Sequence, residues 1–181
     1  MIDMKTMAWM RGLALAVFCG AATVAPAQQA TQASAPATTE VGPVTNLPLP
    51  RYVSLKASEA NVRRGPSLTH RIDWVFQRRG MPLQVVAEYG HWRRVIDRDG
   101  QGGWVHYTML SGVRAALVTE PVLTLHAKPE AQSSERAYLE QGVVARLGAC
   151  QNGWCELNAV GHSGWAPQSA IWGVDPGETK E

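Results

Sequence analysis

The sequence predicts an all-β protein: two tandem small β-barrels that follow a signal peptide and a disordered linker. Three observations predict it. One hairpin pattern occurs twice. His91-Trp92-Arg93-Arg94-Val95-Ile96, a turn at 97–100 and Gly102-Gly103-Trp104-Val105-His106 are echoed by Gly153-Trp154-Cys155-Glu156-Leu157, a short loop and Gly164-Trp165-Ala166. Asp-Gly between strand-like runs is a strong hairpin signal. The two halves also lie over each other. Asn61-Val62-Arg63-Arg64-Gly65-Pro66 falls on Thr124-Leu125-His126-Ala127-Lys128-Pro129, Gly80 on Gly142, Trp92 on Trp154, Gly103-Trp104 on Gly164-Trp165 and Leu110 on Ile171. Finally, no stretch sustains a helical period, whereas short apolar runs alternate and are cut by turn residues about every 8–12 positions.

Residues 1–27 have the plan of a secretory signal peptide. Lys5 and Arg11 flank an apolar run at 13–24, and Ala25-Pro26-Ala27 is an A-x-A cleavage site. The run is short for a transmembrane helix, which needs roughly 20 apolar residues. An uncleaved anchor is the competing reading. Cys19 does not make a lipoprotein, because Phe18 stands where such signals have a small residue. The expected location is therefore the periplasm or the outside of the cell, with cleavage after Ala27 and no transmembrane segment in the mature chain. Residues 28–50 are rich in Ala, Thr, Gln and Pro and cannot bury enough apolar surface to offset their ordering entropy. They are expected to form a flexible linker that stiffens near Pro48 and Pro50.

The first folded unit is expected over 51–112. Its strands are predicted at 52–57, around Val62, at 73–77 and at 82–88, where Leu83, Val85 and Ala87 share a face. Gly65-Pro66 stops the second of these, because Pro lacks the ladder amide. The hairpin follows, and 107–110 reads as a single helical turn. The second unit, expected over 113–174, repeats this with strands at 113–118, 122–127, 137–140, 143–149, 154–159 and 163–166, closed by 171–174. A tail is left at 175–181. So many short strands in about 60 residues suggest a small closed barrel. Units of that size sit near the lower limit for a single core, so each is expected to lean on the other or on a staple.

Two cysteines remain beyond the leader, Cys150 and Cys155. In an oxidising compartment thiols pair, and these two flank a tight turn within bridging distance. A disulfide there would stabilise by about 2 kcal/mol. The competing readings are a nucleophilic thiol, which would need a base in a cleft, and a metal pair with His162, which is short of zinc's four ligands.

The motif Asn61-Val62-Arg63-Arg64-Gly65-Pro66-Ser67 together with Gly102-Gly103-Trp104-Val105-His106 resembles the signature of the bacterial SH3 (SH3b) family. Leu49-Pro50-Arg51-Tyr52-Val53-Ser54-Leu55-Lys56 and Met109-Leu110-Ser111-Gly112 resemble an exported proteobacterial branch with two tandem units. The resemblance covers about 51–174. It is close in the first unit and degenerate in the second, where Leu123-Thr124-Leu125-His126-Ala127-Lys128-Pro129 loses Asn-Val-Arg and Gly-Pro. It implies two SH3-like barrels and a non-catalytic binding role, often at the cell wall. The Ala-Leu-Tyr-Asp-Tyr-type strand of proline-binding SH3 domains is missing, so proline-rich recognition is not carried over.

Little supports an enzyme, and no cofactor or metal is expected. Gly161-His162-Ser163-Gly164 is followed by Trp165 where a nucleophile elbow needs glycine. Gly100-Gln101-Gly102-Gly103 lies in a hairpin without a βαβ unit. His70, His91, His106, His126 and His162 have no helical spacing, and Asp97 and Asp99 are read as turn caps.

Two features are candidates for ligand contact. Trp74, Tyr89, Trp92 and Tyr107 lie near strand ends of the first unit. With Trp92 and Trp104 expected in the core, Trp74 and Tyr107 are left to bind. The second feature is basic: Arg63, Arg64, Arg71, Arg78, Arg79, Arg93, Arg94 and Arg98 suit carboxylate or phosphate, with Arg71, Arg93 and Arg94 the chosen contacts. Residues 51–110 carry ten Lys/Arg against five Asp/Glu, a charge of +5, and 111–181 carry five against eight, −3. This suggests a surface partner or attraction between the halves. The arginines could equally pair with Glu130, Glu135, Glu140 and Glu156 of the second unit, or with water. Nucleic acid is disfavoured by the export signal and near-neutral total. The reading favoured is a non-catalytic binder of cell-wall peptide (peptidoglycan) or of an envelope protein, acting through the Arg-rich first unit. The alternative is a structural or adaptor protein, and the least favoured is a Cys-dependent hydrolase.

Overall fold

The computed structural model describes residues 40–181. The expected signal peptide and the linker over 28–39 lie outside the described residues. The rest of the expected flexible linker, 40–50, is instead structured. β1 (Glu40–Val41) and β2 (Pro48–Leu49) pair as a short antiparallel hairpin. The carboxylate of Glu88 holds its turn, accepting hydrogen bonds from the Val44 amide (3.1 Å), the Thr45 amide (2.9 Å) and the Thr45 hydroxyl (2.7 Å). Charge-assisted bonds of this kind offset the ordering entropy that the local composition cannot. Their acceptor lies 43 positions along the chain from Thr45, out of reach of any local reading.

The first barrel contains β3 (Arg51–Leu55), β4 (Ala60–Arg63), β5 (Ile72–Phe76), β6 (Pro82–Tyr89), β7 (Trp92–Ile96), β8 (Gly102–His106) and β9 (Leu110–Ser111). The second contains β10 (Ala115–Val118), β11 (Val122–His126), β12 (Glu135–Glu140), β13 (Val144–Gln151), β14 (Trp154–Ala159), β15 (His162–Pro167) and β16 (Ile171–Trp172). Hydrogen bonding orders the strands β5-β4-β8-β7-β6-β3-β9 and β12-β11-β15-β14-β13-β10-β16. These are one connectivity used twice, so the sequence repeat is a repeat of topology. A single 3-10 turn precedes the last strand of each barrel, at Tyr107–Met109 and Gln168–Ala170.

The Gly-Trp pairs have a steric reason. A Cβ on Gly103 would come 2.7 Å from the Arg63 carbonyl oxygen, and one on Gly164 would come 2.9 Å from that of His126. Only glycine lets β8 approach β4, and β15 approach β11, where a single bridge closes each barrel: Arg63 opposite Trp104, His126 opposite Trp165.

The long strand β6 departs from simple alternation. Leu83 and Val85 point inward and are fully buried, but a bulge between Val85 and Ala87 shifts the register. Ala87 is therefore only half-buried, and Glu88 takes the inward position instead. β13 has the same irregularity between Leu147 and Cys150, which turns Cys150 inward. Glu88 stands opposite Arg93, and Cys150 opposite Cys155, at equivalent places in the two barrels. In the second barrel that place holds a disulfide. In the first it holds a buried ion pair, with Arg93 Nε 3.4 Å from Glu88 Oε1.

Each barrel has its own apolar core. Leu55, Val62, Leu83, Val85, Val95 and Val105 fill the first, and Val118, Leu125, Ala145 and Leu157 are among those that fill the second. The first cluster has nine buried side chains, a small core for an independent unit, and the Glu88 ion pair supplies the staple that its size requires. The barrels also touch. Tyr52 meets Trp172 edge to face at 5.3 Å between ring centroids, the Arg114 guanidinium lies 5.4 Å from the Tyr52 ring centre, and Arg78 Nη1 donates to the Gly142 carbonyl at 2.7 Å. None of the ion pairs among the described residues joins one barrel to the other. The expected pairing of first-unit arginines with second-unit glutamates is therefore not what holds the halves together.

Candidate functional site

A cleft of about 830 Å³ opens on the outer face of the first barrel. Its floor is Trp92 on β7 and His106 on β8, which stand opposite each other and meet edge to face at 5.4 Å. Alternation puts both on the outer face, because Arg93 and Val105 between them point inward. One wall is the segment after β4, with Pro66, Ser67 and Leu68, and Met109 also lines the cleft. Arg63 braces that wall: its Nη1 donates to the carbonyls of Leu68 (3.0 Å) and His70 (2.7 Å). Glu59 and Arg63 place one carboxylate and one guanidinium along a lining that is otherwise mostly apolar and aromatic. His91 and Tyr107 extend the aromatic surface, with ring centroids 5.6 Å apart and His106 5.0 Å from Tyr107.

The residues expected to bind are distributed differently. Tyr107 is 48% exposed and joins the His91–His106 stack beside the cleft. Trp74 is not free: it packs on the core next to Phe76, and its indole nitrogen is buried. Trp92, expected in the core, is the one that floors the cleft, and Trp104 is half-buried outside the core cluster. Arg93 is 7% exposed and committed to Glu88 and to the carbonyls of Gly90 and Trp92, so it is a structural residue rather than a ligand contact. Arg71 is exposed but pairs with Asp73 at 2.7 Å; that bond, with Arg64 adding to it, lowers the Asp73 pKa. Arg94 is exposed and has no ion-pair partner among the described residues.

Glu88 is the most perturbed group of the first barrel. Burial alone would raise its pKa, but the hydrogen bonds from Thr45, Arg51 and Val44 outweigh burial and hold it at about 2. It is ionised near neutral pH, so it organises structure and offers no acid–base chemistry there.

The second barrel lacks the same cleft chemistry. The amide of Tyr107 bonds to the His91 carbonyl, and at the equivalent place the Gln168 amide bonds to the Gly153 carbonyl. Glycine thus replaces His91, and a buried glutamine replaces Tyr107. Gln168 is held by Gly177 and Glu178 of the C-terminal segment, which covers this end of the barrel. His126, at the place of Arg63, packs edge to face on Trp154 at 5.6 Å, and Pro167 stands where the first barrel has His106. Both Cys150 and Cys155 lie in the disulfide, so neither is a free thiol nucleophile. Among the described residues no cluster of three or more His, Cys, Asp or Glu is placed to hold a metal.

A family model described as the bacterial SH3 domain matches residues 56–112 and again 120–173. The chain belongs to the bacterial SH3 domain family. Both matches fall on the repeats, and the Asn61–Ser67 signature of the first is the wall of the cleft. No curated protein matches the chain. Among solved structures, NlpC2 from Trichomonas vaginalis is 12% identical with a TM-score of 0.33, covering 70% of this chain and 50% of that one. NlpC1 from the same organism is 11% identical with a TM-score of 0.33, covering 68% and 45%. The chain thus spans about half the length of either.

The floor of the site was missed in the sequence because a tryptophan beside a hairpin turn reads as core. The signal that could have found it is the comparison of the halves. His91, His106 and Tyr107 change chemical class between the repeats, while the inward Val95 and Leu157 do not.

Proposed function

We propose that this protein is an exported, non-catalytic binding protein whose first bacterial SH3 domain takes cell-wall peptide in the Trp92–His106 cleft. The observation that carries the reading is the cleft itself. Its volume falls in the range of small-ligand sites. Its aromatic floor suits a peptide chain, and Glu59 and Arg63 suit the amine and carboxylate groups that stem peptides carry. The signal-peptide pattern at 1–27 supports a location where such peptides are met. Arg63 and Trp92, rather than the buried Arg93, face the ligand in this reading.

The test uses the chain from residue 28 onward. It is expected to co-sediment with peptidoglycan sacculi, and soluble stem peptides are expected to change its tryptophan fluorescence. Trp92→Ala should weaken binding about tenfold or more, as loss of a buried aromatic contact does, whereas Trp165→Ala should not. Failure to pellet at low salt, with no fluorescence response to stem peptides, rejects wall binding. The adaptor reading draws its support from the Tyr52–Trp172 contact between the two barrels. Envelope crosslinking that returns specific proteins without wall association would favour it.

A further inference from the structure

The duplication allows one outer-face row to be compared between the barrels. In the first, Arg94 on β7 stands opposite Trp104 on β8, Trp104 opposite Arg63 on β4, and Arg63 opposite Ile72 on β5. In the second, Glu156 on β14 stands opposite Trp165 on β15, Trp165 opposite His126 on β11, and His126 opposite Glu135 on β12. These are the same row, strand for strand. The central tryptophan is retained, while Arg, Arg and Ile become Glu, His and Glu.

Neither row is neutralised among the described residues. None of the ion pairs among the described residues includes Arg94, Arg63, Glu156 or Glu135, and none crosses between the barrels. Arg63 donates to two carbonyls, which leave its charge uncompensated, and Glu135 accepts only the Tyr138 hydroxyl. The opposite sums of the two halves, +5 over 51–110 and −3 over 111–181, point the same way. If either face met its own copy, like charge would oppose like. If the first-barrel row met the second-barrel row, Arg94 would face Glu156 or Glu135 across the tryptophans, with the 44% exposed Ile72 adding apolar area. An arginine over an indole face gains further from cation–π attraction.

We propose that the Arg94–Trp104–Arg63–Ile72 row of one copy docks on the Glu156–Trp165–His126–Glu135 row of a second copy. The contact is heterologous. Each copy carries one face of each kind, so copies close into a ring or extend in a line. The row shares Arg63 with the cleft wall, but Arg94 and Glu156, where it is tested, lie outside the cleft lining, so the cleft's ligand is tested separately.

Sedimentation velocity on the chain from residue 28 tests it. At low ionic strength the average mass should rise with protein concentration, and it should return to the monomer near about 1 M salt, where the screening length is roughly 3 Å. Arg94→Glu and Glu156→Arg should each weaken self-association by about tenfold or more. An equimolar mixture of the two variants should restore it, because the new carboxylate on the first variant's first-barrel row meets the new guanidinium on the second variant's second-barrel row. Circular dichroism confirms that both variants are folded. A chain that stays monomeric at low salt and millimolar concentration overturns the proposal, and so does a mixture that fails to associate. A monomeric chain whose Arg94→Glu variant loses sacculus binding would assign the row to the wall, and would equally overturn it.

Discussion

Replacing Glu88 by Gln removes one charge and almost no volume, which isolates the electrostatic part of the first barrel's staple. The carboxylate accepts from Val44, Thr45 and Arg51, and Arg93 lies 3.4 Å away. Its pKa falls from 4.5 to about 2 on folding. At about 1.4 kcal/mol per pH unit, this corresponds to about 3 kcal/mol of stability. Because the folded-state value is the lower one, the contribution is complete above pH 4.5 and fades as the pH falls towards 2. Glu88→Gln also leaves the Arg51 and Arg93 guanidiniums without a counter-charge, and losing one partner of a buried pair costs about 3–5 kcal/mol. The variant should therefore lose at least about 3 kcal/mol near neutral pH. It should also lose the part of the acid sensitivity that lies between pH 4.5 and about 2. Hydrogen exchange read by mass spectrometry on the whole chain assigns the loss to a barrel: β3, β6 and the 40–50 hairpin should exchange faster, while β13 and β14 should not. A variant within about 0.5 kcal/mol of the parent, the usual effect of an inert surface change, would refute the reasoning. So would acceleration spread evenly over both barrels.

Two further outcomes follow from the same geometry. Because Glu88 and Arg93 stand where Cys150 and Cys155 stand, Glu88→Cys with Arg93→Cys should form a second disulfide on air oxidation, seen as a reduced count of maleimide-reactive thiols; thiols that remain fully reactive would show that the two bulges are not equivalent. Val160 is 88% exposed at φ 53 in a two-residue hairpin turn before Gly161, a conformation that suits asparagine and strains a β-branched residue. Val160→Asn should raise stability by about 0.5–1 kcal/mol in a urea melt, and a neutral or negative change would count against the strain.

Much of the fold was legible in the chain itself. The alternation of Leu83 and Val85 in β6, the paired Gly-Trp steps and the offset between halves are all local or periodic signals, and strand period and turn chemistry act over a few residues. The cysteine pair was legible for the same reason, since its members sit five positions apart across a tight turn. The site was less so. Arg93 and Arg94 are neighbours in the sequence, yet one is buried against Glu88 and the other is open to solvent. Trp74 and Trp92 exchange their expected places, because a half-buried indole is compatible with either face of a small barrel.

By itself, then, the sequence determined a duplicated all-strand module, its turns, its bridge and an asymmetric spread of charge. Tertiary structure alone decided which face each aromatic takes. It also decided that the bulge in β6 turns a carboxylate inward, and that the 40–50 segment folds back to satisfy it. The physical reason is range. Periodicity and turn preference are written in adjacent residues, whereas the environment of Glu88 depends on Thr45, Arg51 and Arg93, which only the closed barrel brings together.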